Sequence, residues 1–401
     1  AIDGGTPVRA TPMPTWPDHG EAELAVIAEA LRSGKTNYWT GPHGRALESE
    51  YASALGRTHA IAVSNGTLAL ELALRAFEIG HGDEVIVPAR TFIATASAVV
   101  AVGATPIIAD IDPNSGTLTA ETVLRVLTSR THAIIPVHLG GWPAVMEPIL
   151  ELARLHGLVV VEDCAQAHGA AEPGRAVGSA GSQAAAFSFC QDKIVPAGEG
   201  GLLVLDDDTA FERAWSYKEH GKSLERLNET DENASPGAFR WLVDSFGTNW
   251  RMHEFAAALA RVGLARLPEW HAARRHNALR LALALDGIPG LRVPLPGAGV
   301  DHAFYRLYAY VLPNALSPGW DRDRIIRSVI AEGIPCGYGT CCEIYREQAF
   351  VSAGLGPTHP LRHARAAHDS CIAFLVHPTL EDVDMDDTAE AIRAVMKAAT
   401  S

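Results

Sequence analysis

From about residue 58 to residue 206, short apolar runs alternate with segments whose apolar residues recur at helical spacing. The apolar runs are expected to be strands, and they cover residues 59–63, 84–88, 105–111, 132–139, 158–163, 184–189 and 201–206. Runs that are apolar along their whole length are typical of strands buried on both faces of a sheet. Strands that alternate with helices usually pair in parallel, with helices covering both sides. The pattern therefore predicts an α/β fold with a mostly parallel, seven-stranded sheet between helices.

The pattern changes after the Pro- and Gly-rich stretch 285–299. One strand with period-two polarity is expected at 304–312, and helices follow it, which indicates a separate α+β unit. A long helical stretch at 251–283 precedes this unit, and Pro268 inside it is expected to kink or interrupt the helix. We therefore predict a chain joined by this long helix and divided into an N-terminal arm (1–20), a large α/β domain (21–265) and a smaller C-terminal α+β domain (266–401).

Composition narrows the function classes. The chain carries 33 Lys and Arg against 47 Asp and Glu, a net charge of −14 with no basic run, which argues against a nucleic-acid surface. The longest apolar stretches are too short to cross a bilayer, and no signal-peptide pattern stands at the start, so we expect a cytoplasmic protein without a membrane partner. The six cysteines lack a CxxC spacing and the 17 histidines lack an HExxH motif, so neither disulfides nor a metal site is expected.

Ligands of parallel α/β sheets bind beyond the carboxyl ends of the strands, so residues that directly follow each strand are candidates for a site. After the first strand comes the run Ser64, Asn65, Gly66, Thr67, at the start of a helix. Backbone N–H groups at a helix N-terminus, with hydroxyls beside them, suit a phosphate monoester. The alternative is a plain helix cap by Ser64 or Asn65.

Other polar and aromatic side chains follow later strands. Asp163 ends a strand, where a carboxylate needs a partner such as a protonated pyridine nitrogen; capping of the next segment is the alternative. Gln166, His168 and His138 are placed to orient such a ligand by hydrogen bonds, although His138 also fits a buried histidine satisfied by the backbone. Phe92 opens a helix directly after a strand, and its ring either stacks on a planar ligand or packs in the core.

Only five lysines occur in the chain, and Lys193 alone lies between an apolar strand-like run and a glycine-rich turn. Desolvation at the end of a buried strand favours the neutral amine, which is the form that condenses with an aldehyde. A solvated loop lysine is the alternative. A phosphate site, a carboxylate, an aromatic ring and this lysine, all after strands of one sheet, together meet the needs of pyridoxal phosphate: phosphate binding, ring stacking, a protonated ring nitrogen and a Schiff base.

Sequence blocks spread over nearly the whole chain resemble the DegT/DnrJ family of sugar aminotransferases, which are fold-type-I pyridoxal-phosphate enzymes. They read YWTGPHGRALE, VSNGTLALELAL, VIVPARTFIATASAV, GATPIIADID, PVHLGG, VVEDCAQAHGA, FSFCQDKIVPAGEGG, GTNWRMHEFAAALA and GIPCGY, in this order. The resemblance implies the fold of a fold-type-I transferase and pyridoxal 5'-phosphate as the cofactor.

The resemblance also implies roles for individual residues. Lys193 would form the Schiff base and shuttle a proton, and Asp163 would pair with the pyridine nitrogen. In such enzymes the Asn of the GxNxR motif, here Asn249, reaches the phosphate of the neighbouring subunit, which implies a homodimer with shared sites. Family dehydratases carry histidine in place of the lysine, so Lys193 favours amino transfer. The remaining cofactor contacts are expected from Asn65, Gly66, Thr67, Phe92, Gln166 and Ser188.

One departure from the family concerns the acceptor. Many members that aminate nucleotide-linked sugars carry an HYxPxH-like stretch, where this chain reads CGYGTCCEIYREQAF without either histidine. This segment is more similar to aminotransferases of antibiotic assembly that act on free cyclitol ketones, and to 3-amino-5-hydroxybenzoate synthases. Substrate contacts are expected from Tyr38, Trp39, His138, Tyr345 and Arg346.

The residues and the resemblance together predict a pyridoxal-phosphate-dependent aminotransferase of aminosugar or antibiotic biosynthesis. It would move an amino group from glutamine or glutamate to a ketone on a sugar or cyclitol. Ping-pong kinetics follow, because the donor leaves its nitrogen on the enzyme before the acceptor takes it. An aromatising synthase of the 3-amino-5-hydroxybenzoate type is one alternative, and a cofactor-binding sensor without turnover is another.

Overall fold

The computed structural model describes residues 1–2, 4–228 and 239–401. The described part of the first half contains α1 (Glu21–Ser33), α2 (His43–Leu55), β1 (His59–Val63), α3 (Gly66–Ala76), β2 (Glu84–Pro88), α4 (Ala94–Ala101), β3 (Thr105–Ala109), α5 (Ala120–Leu124), β4 (Thr131–Ile134), α6 (Met146–His156), β5 (Val159–Asp163), β6 (Ala171–Glu172), β7 (Arg175–Ala176), β8 (Ala184–Ser188), β9 (Gly201–Leu205), α7 (Asp208–Lys218) and α8 (Leu224–Asn228). After residue 238 follow α9 (Glu254–Leu285), β10 (Leu291–Arg292), β11 (Leu307–Val311), α10 (Arg322–Ala331), β12 (Cys336–Gly337), α11 (Gln348–Ala353), α12 (Arg362–Ser370), β13 (Cys371–Phe374) and α13 (Asp382–Ala399).

The central sheet has seven strands in the order β1-β9-β8-β5-β4-β2-β3. Strand β9 runs antiparallel to both of its neighbours, and every other pairing is parallel. Both faces of the central strands are covered, because all five residues of β2, of β8 and of β9 are buried. The predicted fold class is therefore confirmed. The carboxyl ends of β1, β2, β5 and β8 meet at one edge, where the site was expected.

The two faces of the sheet pack against different helices. Alternate residues of β1 show this division, because Ala60 and Ala62 contact the core beneath α2 and α9, whereas Ile61 and Val63 contact the core beneath α3 and α4. This alternation follows from the period of two in a strand. The sheet is thus the middle layer of three.

Gly201 allows the turn after β1 to reach the edge of the sheet. It pairs with Val63 on one side and with Ser188 on the other. A Cβ atom at this position would lie 2.2 Å from the backbone oxygen of Asn65. Only glycine fits where two backbones approach this closely, so Gly201 helps to set the position of the turn at the start of α3.

Helix α9 contains Pro268 yet continues on both sides of it, so the predicted interruption is wrong, whereas the alternative of a kink stays a prediction. A proline inside a helix costs roughly 3 kcal/mol or more. Both halves of α9 are anchored by packing, since Ala260 lies in the core beneath the central sheet and Leu281 lies in the core of the C-terminal sheet. Burial on both sides of the proline therefore outweighs the lost backbone hydrogen bond.

The C-terminal strands form a second sheet in the order β10-β11-β13-β12, with every pairing antiparallel. It packs on the second half of α9 together with α10 and α13. The N-terminal segment contacts this part of the chain, because Arg9 Nη1 lies 2.8 Å from Asp384 Oδ1 and 2.9 Å from Asp387 Oδ2. The division at residues 20 and 265 stays a prediction. Among the described helices, none is long and apolar enough to span a membrane.

Candidate active site

A cavity of about 660 Å³ opens at the carboxyl edge of the central sheet. Its volume falls in the range of roughly 300–1,000 Å³ that is typical of small-molecule sites. Residues of the β11 and β12 region close it from the other side, among them Tyr305, Tyr308 and Thr340. All of the predicted cofactor residues except Asn249 line it, namely Asn65, Gly66, Thr67, Phe92, Asp163, Gln166, Ser188 and Lys193.

The start of α3 forms the first wall of the cavity. Asn65 caps the helix, because its side chain accepts a hydrogen bond from the Leu68 N–H at 3.0 Å, so the alternative of a cap is realised for this residue. A Cβ atom on Gly66 would lie 2.7 Å from Ser188 Cβ, and the glycine therefore lets the first turn of the helix lie directly against the end of β8. N–H groups of a helix N-terminus beside the Thr67 and Ser188 hydroxyls suit a phosphate.

Asp163 is buried at the end of β5. One of its carboxylate oxygens accepts a hydrogen bond from Thr95 Oγ1 at 2.8 Å, and the other accepts one from the Ala165 N–H at 3.1 Å. The hydroxyl of Thr91 lies 2.7 Å from that of Thr95 and extends this chain. Burial raises the pKa of Asp163, while the Thr95 and Ala165 hydrogen bonds and the charge of Lys193 oppose the rise. A cationic ring nitrogen beside this carboxylate would stabilise its ionised form.

Lys193 lies in the turn between β8 and β9, beyond the strand end at Ser188. It is half-buried. Both backbone polar groups of Lys193 are hydrogen-bonded. The Lys193 N–H donates to Cys190 O and the Trp16 indole N–H donates to Lys193 O, each at 2.9 Å. The Nζ atom lies 4.9 Å from the centroid of the Tyr305 ring. The amine therefore projects into the cavity from a fixed backbone.

Gln166 and Phe92 complete the expected cofactor surroundings. Gln166 Oε1 accepts a hydrogen bond from the Gly140 N–H at 2.7 Å, and its Nε2 donates to Thr340 Oγ1 at 3.3 Å. Phe92 is 64% exposed and lines the cavity. The alternative of a core phenylalanine is therefore wrong, and the ring is free to stack on a planar ligand.

His138 does not line the cavity. Its Nδ1 accepts a hydrogen bond from the Ala144 N–H at 3.0 Å, so Nε2 carries the proton and donates to Glu162 Oε2 at 3.0 Å. Neighbouring residues of a strand point to opposite faces, and the contact with Glu162 places His138 on the other face from Asp163. Burial favours a raised pKa of Glu162, but the hydrogen bond from His138 and the hydrogen bonds and charge of Arg175 outweigh it and lower the pKa to about 2. His138 thus stabilises β5 from the face opposite Asp163.

The ligand atoms of His138, Glu162 and Cys164 lie within 4.8 Å of one another, as metal ligands would. Both carboxylate oxygens of Glu162 are already occupied, because Arg175 and Ser182 donate to them. This group is therefore an internal ion pair and not a candidate metal centre.

The other predicted substrate residues also lie outside the lining of the cavity in a single copy of the chain. Tyr345 and Arg346 both donate to Glu343, the latter at 3.0 Å. Tyr38 donates to Glu48 at 3.0 Å, Trp39 donates to Glu219 at 2.9 Å, and Asn249 is exposed.

The sequence did not predict several of the residues that line the cavity. Tyr305, Arg306 and Tyr308 stand in the segment that was predicted as a plain strand, although the strand starts only at Leu307. Two glycines that are distant from Tyr308 in sequence, Gly140 and Gly339, lie against its ring. A Cβ atom would lie 2.5 Å from the Tyr308 ring at Gly140 and 2.4 Å from it at Gly339, so the ring is held between two backbones.

Comparison with known proteins agrees with this geometry. The family model described as "DegT/DnrJ/EryC1/StrS aminotransferase family" matches residues 17–393. The L-glutamine:2-deoxy-scyllo-inosose aminotransferase of Streptomyces kanamyceticus is 34% identical over 424 aligned positions, which cover 99% of this chain and 96% of that protein. The dTDP-3-amino-3,4,6-trideoxy-alpha-D-glucose transaminase of Streptomyces venezuelae is 40% identical over 282 residues, 70% of each chain.

Among solved structures, the aminotransferase from Psychrobacter cryohalolentis superposes with a TM-score of 0.94 at 44% sequence identity, and the match covers 97% of this chain and all of that one. Sequence and fold thus point to one family over nearly the full length. The chain belongs to the DegT/DnrJ/EryC1/StrS aminotransferase family.

Proposed function

We propose that this aminotransferase uses pyridoxal 5'-phosphate to move the amino group of glutamine or glutamate to a ketone on a cyclitol or sugar in antibiotic or aminosugar biosynthesis. The observation that carries the proposal is the convergence of four features on one cavity. These are the N-terminus of α3, the buried carboxylate of Asp163, the exposed ring of Phe92 and the amine of Lys193. They match the phosphate, ring nitrogen, ring face and aldehyde of that cofactor.

When bound, the cofactor supplies an aldehyde carbon and an electron-withdrawing ring. In our proposal Lys193 Nζ would hold the aldehyde carbon until the donor amine takes its place, and the released Nζ amine would then accept the proton that leaves Cα of the donor. Asp163 keeps the ring nitrogen protonated, and Thr95 orients the carboxylate. Gly66, Thr67 and Ser188 hold the phosphate. Gln166, fixed by Gly140 and Thr340, would contact the edge of the ring.

A cyclitol or keto-sugar acceptor is supported by the relatives and by the polar rim of the cavity. The hydroxyls of Tyr308 and Thr340, 3.4 Å apart, lie on the C-terminal side of the cavity, where they suit a ligand rich in hydroxyl groups. One relative is named as an aminotransferase of 2-deoxy-scyllo-inosose and another as a transaminase of a dTDP-linked sugar. We propose the free cyclitol ketone, since the HYxPxH-like stretch is missing. All six cysteines are free thiols, which suits the reducing cytoplasm as the site of the reaction.

The two half-reactions test the proposal. We expect L-glutamine or L-glutamate, added without an acceptor to enzyme reconstituted with pyridoxal 5'-phosphate, to shift the absorbance to that of the aminated cofactor. Adding 2-deoxy-scyllo-inosose should then restore the first spectrum, and a dTDP-linked keto sugar should restore it more slowly. Absence of any shift with either donor contradicts transamination. A product with aromatic absorbance, formed from aminodehydroshikimate, would instead support the aromatising alternative.

We further propose that the enzyme is a homodimer in which Asn249 completes the phosphate site of the partner. Asn249 is exposed in a single copy. Close to it in sequence, Phe239 is 77% exposed, Trp241 81% and Phe246 fully exposed. Large aromatic side chains grouped in this way are typical of a surface that a partner covers. A second copy of the chain would bury them and bring Asn249 to the neighbouring cavity.

We expect the Phe246→Asp substitution to shift the enzyme towards monomers, because it places a charge in the proposed interface. Cofactor affinity should fall by about tenfold or more, since each hydrogen bond to a charged phosphate contributes roughly 1.5–3 kcal/mol. Sedimentation velocity measures the first effect and absorbance titration the second. Leu155→Asp on α6, where the leucine is 78% exposed, is the matched control. A Phe246→Asp protein that stays dimeric would exclude this surface.

A further inference from the structure

The cavity must bind an anionic donor as well as a neutral acceptor, if the proposed function holds. Both glutamine and glutamate carry an α-carboxylate, which is best bound by a cation. Among the described residues that line the cavity, only Lys193 and Arg306 carry a positive charge. Lys193 is assigned to the cofactor in the proposed function, so Arg306 is the group left for the carboxylate.

The contacts of Arg306 leave its guanidinium available. Nη2 lies 3.7 Å from Asp192 Oδ2, which is longer than a hydrogen bond. Nη1 donates to Tyr305 O at 3.3 Å, and the guanidinium carbon lies 4.5 Å from the centroid of the Tyr305 ring. The side chain is 21% exposed. A planar guanidinium that rests on a ring and is only loosely paired can offer two parallel N–H groups to a carboxylate.

Asp192 is held in place on its own account, because Tyr305 donates its hydroxyl to Oδ2. Arg306 and Asp192 also line a second cavity of about 580 Å³ that adjoins the N-terminal segment at Trp16. The pair therefore lies between two open volumes, and Arg306 has room on both sides. Asp192 provides a resting partner to which the arginine returns when no anion is bound.

A second cation, Arg274, lies close to Arg306 and Asp192. It forms no ion pair with any of the described residues. Arg274 is fully buried, and its Nε and Nη2 atoms have no hydrogen-bond partner within the described ranges. Burial and the charge of Arg306 lower the pKa of Arg274 to about 9, so it remains charged at neutral pH. Arg274 and Arg306 thus repel each other and share Asp192 as a neighbouring carboxylate, and an incoming anion beside Arg306 would reduce this repulsion.

We propose that Arg306 binds the α-carboxylate of the amino donor and pairs with Asp192 when the neutral acceptor occupies the cavity. The inference rests on the proposed function and deepens it, since it assigns a donor-specific binding residue. An arginine that changes partners allows one cavity to take an amino acid and a polyhydroxy ketone in turn. In the second half-reaction the cyclitol ketone has no carboxylate, so this half-reaction does not depend on the guanidinium of Arg306.

The test measures the two half-reactions separately in Arg306→Gln. We expect the glutamine concentration for half-maximal absorbance change to rise by about 100-fold, because two hydrogen bonds to a charged group are lost. The second half-reaction with the cyclitol ketone should change by less than about threefold, as expected when no contact is removed. Arg306→Lys keeps the positive charge but lacks the two parallel N–H groups of the guanidinium. We expect it to raise the glutamine concentration for half-maximal absorbance change by about tenfold.

A binding measurement supplies a readout that is independent of turnover. α-Methylglutamate lacks the Cα hydrogen and cannot complete the half-reaction, so its affinity for the loaded enzyme, measured by titration, reports binding without turnover, and we expect Arg306→Gln to weaken it. L-Glutaminol lacks the carboxylate, and we expect Arg306→Gln to leave its weak binding unchanged. Arg275→Gln on the exposed side of α9, which removes an ion pair with Asp301 at 3.1 Å, is the control and should behave as wild type.

Equal losses in both half-reactions, or unchanged glutamine dependence, would overturn the assignment of Arg306. Wild-type enzyme that binds the cofactor but shows no half-reaction with any donor would overturn the proposed function itself, and this inference with it. The two failures are therefore distinguishable.

Discussion

Replacement of Lys193 by alanine is expected to lower kcat by at least about 10⁴-fold, the upper end of what a general acid–base group contributes. In our account the amine both anchors the cofactor and moves the proton from Cα, so no neighbouring group takes over. Of the other four lysines, Lys218 is fully buried against Glu219 and Tyr38, outside the cavity lining. Steady-state kinetics with glutamine and the keto acceptor measures the loss.

The fold should survive this substitution, because the backbone of Lys193 makes the structural contacts with Trp16 and Cys190. Circular dichroism and the unfolding midpoint are expected to stay close to those of wild type. Phosphate-dependent binding of the cofactor should remain measurable, without the covalent absorbance band. Lys397→Ala, on the exposed side of α13, is the control. Turnover within about tenfold of wild type in Lys193→Ala would contradict the role of a general acid–base group.

Asp163→Asn is expected to lower kcat by about 10²–10³-fold, the loss seen when one preorganised electrostatic group is removed from a reaction centre. The amide is nearly isosteric but carries no charge, so the ring nitrogen would lose the partner that keeps it protonated. Rapid-mixing absorbance of the glutamine half-reaction measures the slower proton step directly. A variant with a half-reaction as fast as wild type would exclude the proposed pairing.

The same variant gives an opposite expectation for the stability of the cofactor-free protein. Burial raises the pKa of Asp163, so above the ordinary pKa of an aspartate the folded protein holds a proton that the unfolded chain has released. The free energy of unfolding therefore decreases as the pH rises through this window up to the raised pKa, and it stays lowered above it. Asparagine does not ionise, so its burial causes no such pH-dependent loss of stability.

We therefore expect apo Asp163→Asn to be more stable than the wild-type apoprotein at pH 8, and the difference to vanish in acid below the ordinary pKa of aspartate. Urea unfolding at the two pH values measures this. A variant that is less active and less stable at pH 8 would indicate structural damage instead of a lost charge partner.

Local patterns in the sequence were sufficient to find every strand of the central sheet, although the run expected at 132–139 is a strand only at Thr131–Ile134. The runs at 59–63 and 84–88 are strands with the expected ends, because residues that are apolar on both faces have few other places in a fold. The turn after β1 and the carboxylate at Asp163 were likewise found where their strands end, since the carboxyl ends of parallel strands share one edge.

Orientation and long-range contacts could not be predicted in this way. His138 also follows a strand, yet its side chain lies on the face opposite Asp163, and one residue of register decides between the faces. Tyr305 and Arg306 approach from a distant part of the chain, so no local pattern places them at the cavity. Pro268 shows a related limit, since tertiary packing on both sides overrides a local helix-breaking signal.

Reductive trapping tests the central claim most directly. The enzyme is loaded with pyridoxal 5'-phosphate, reduced with borohydride and digested, and the labelled peptide is identified by mass spectrometry. Because the chain has only five lysines, the site of labelling is unambiguous. We predict stoichiometric labelling of the peptide that contains Lys193, and loss of the label when glutamine is added before reduction. Labelling at another lysine, or no labelling at all, would contradict the account.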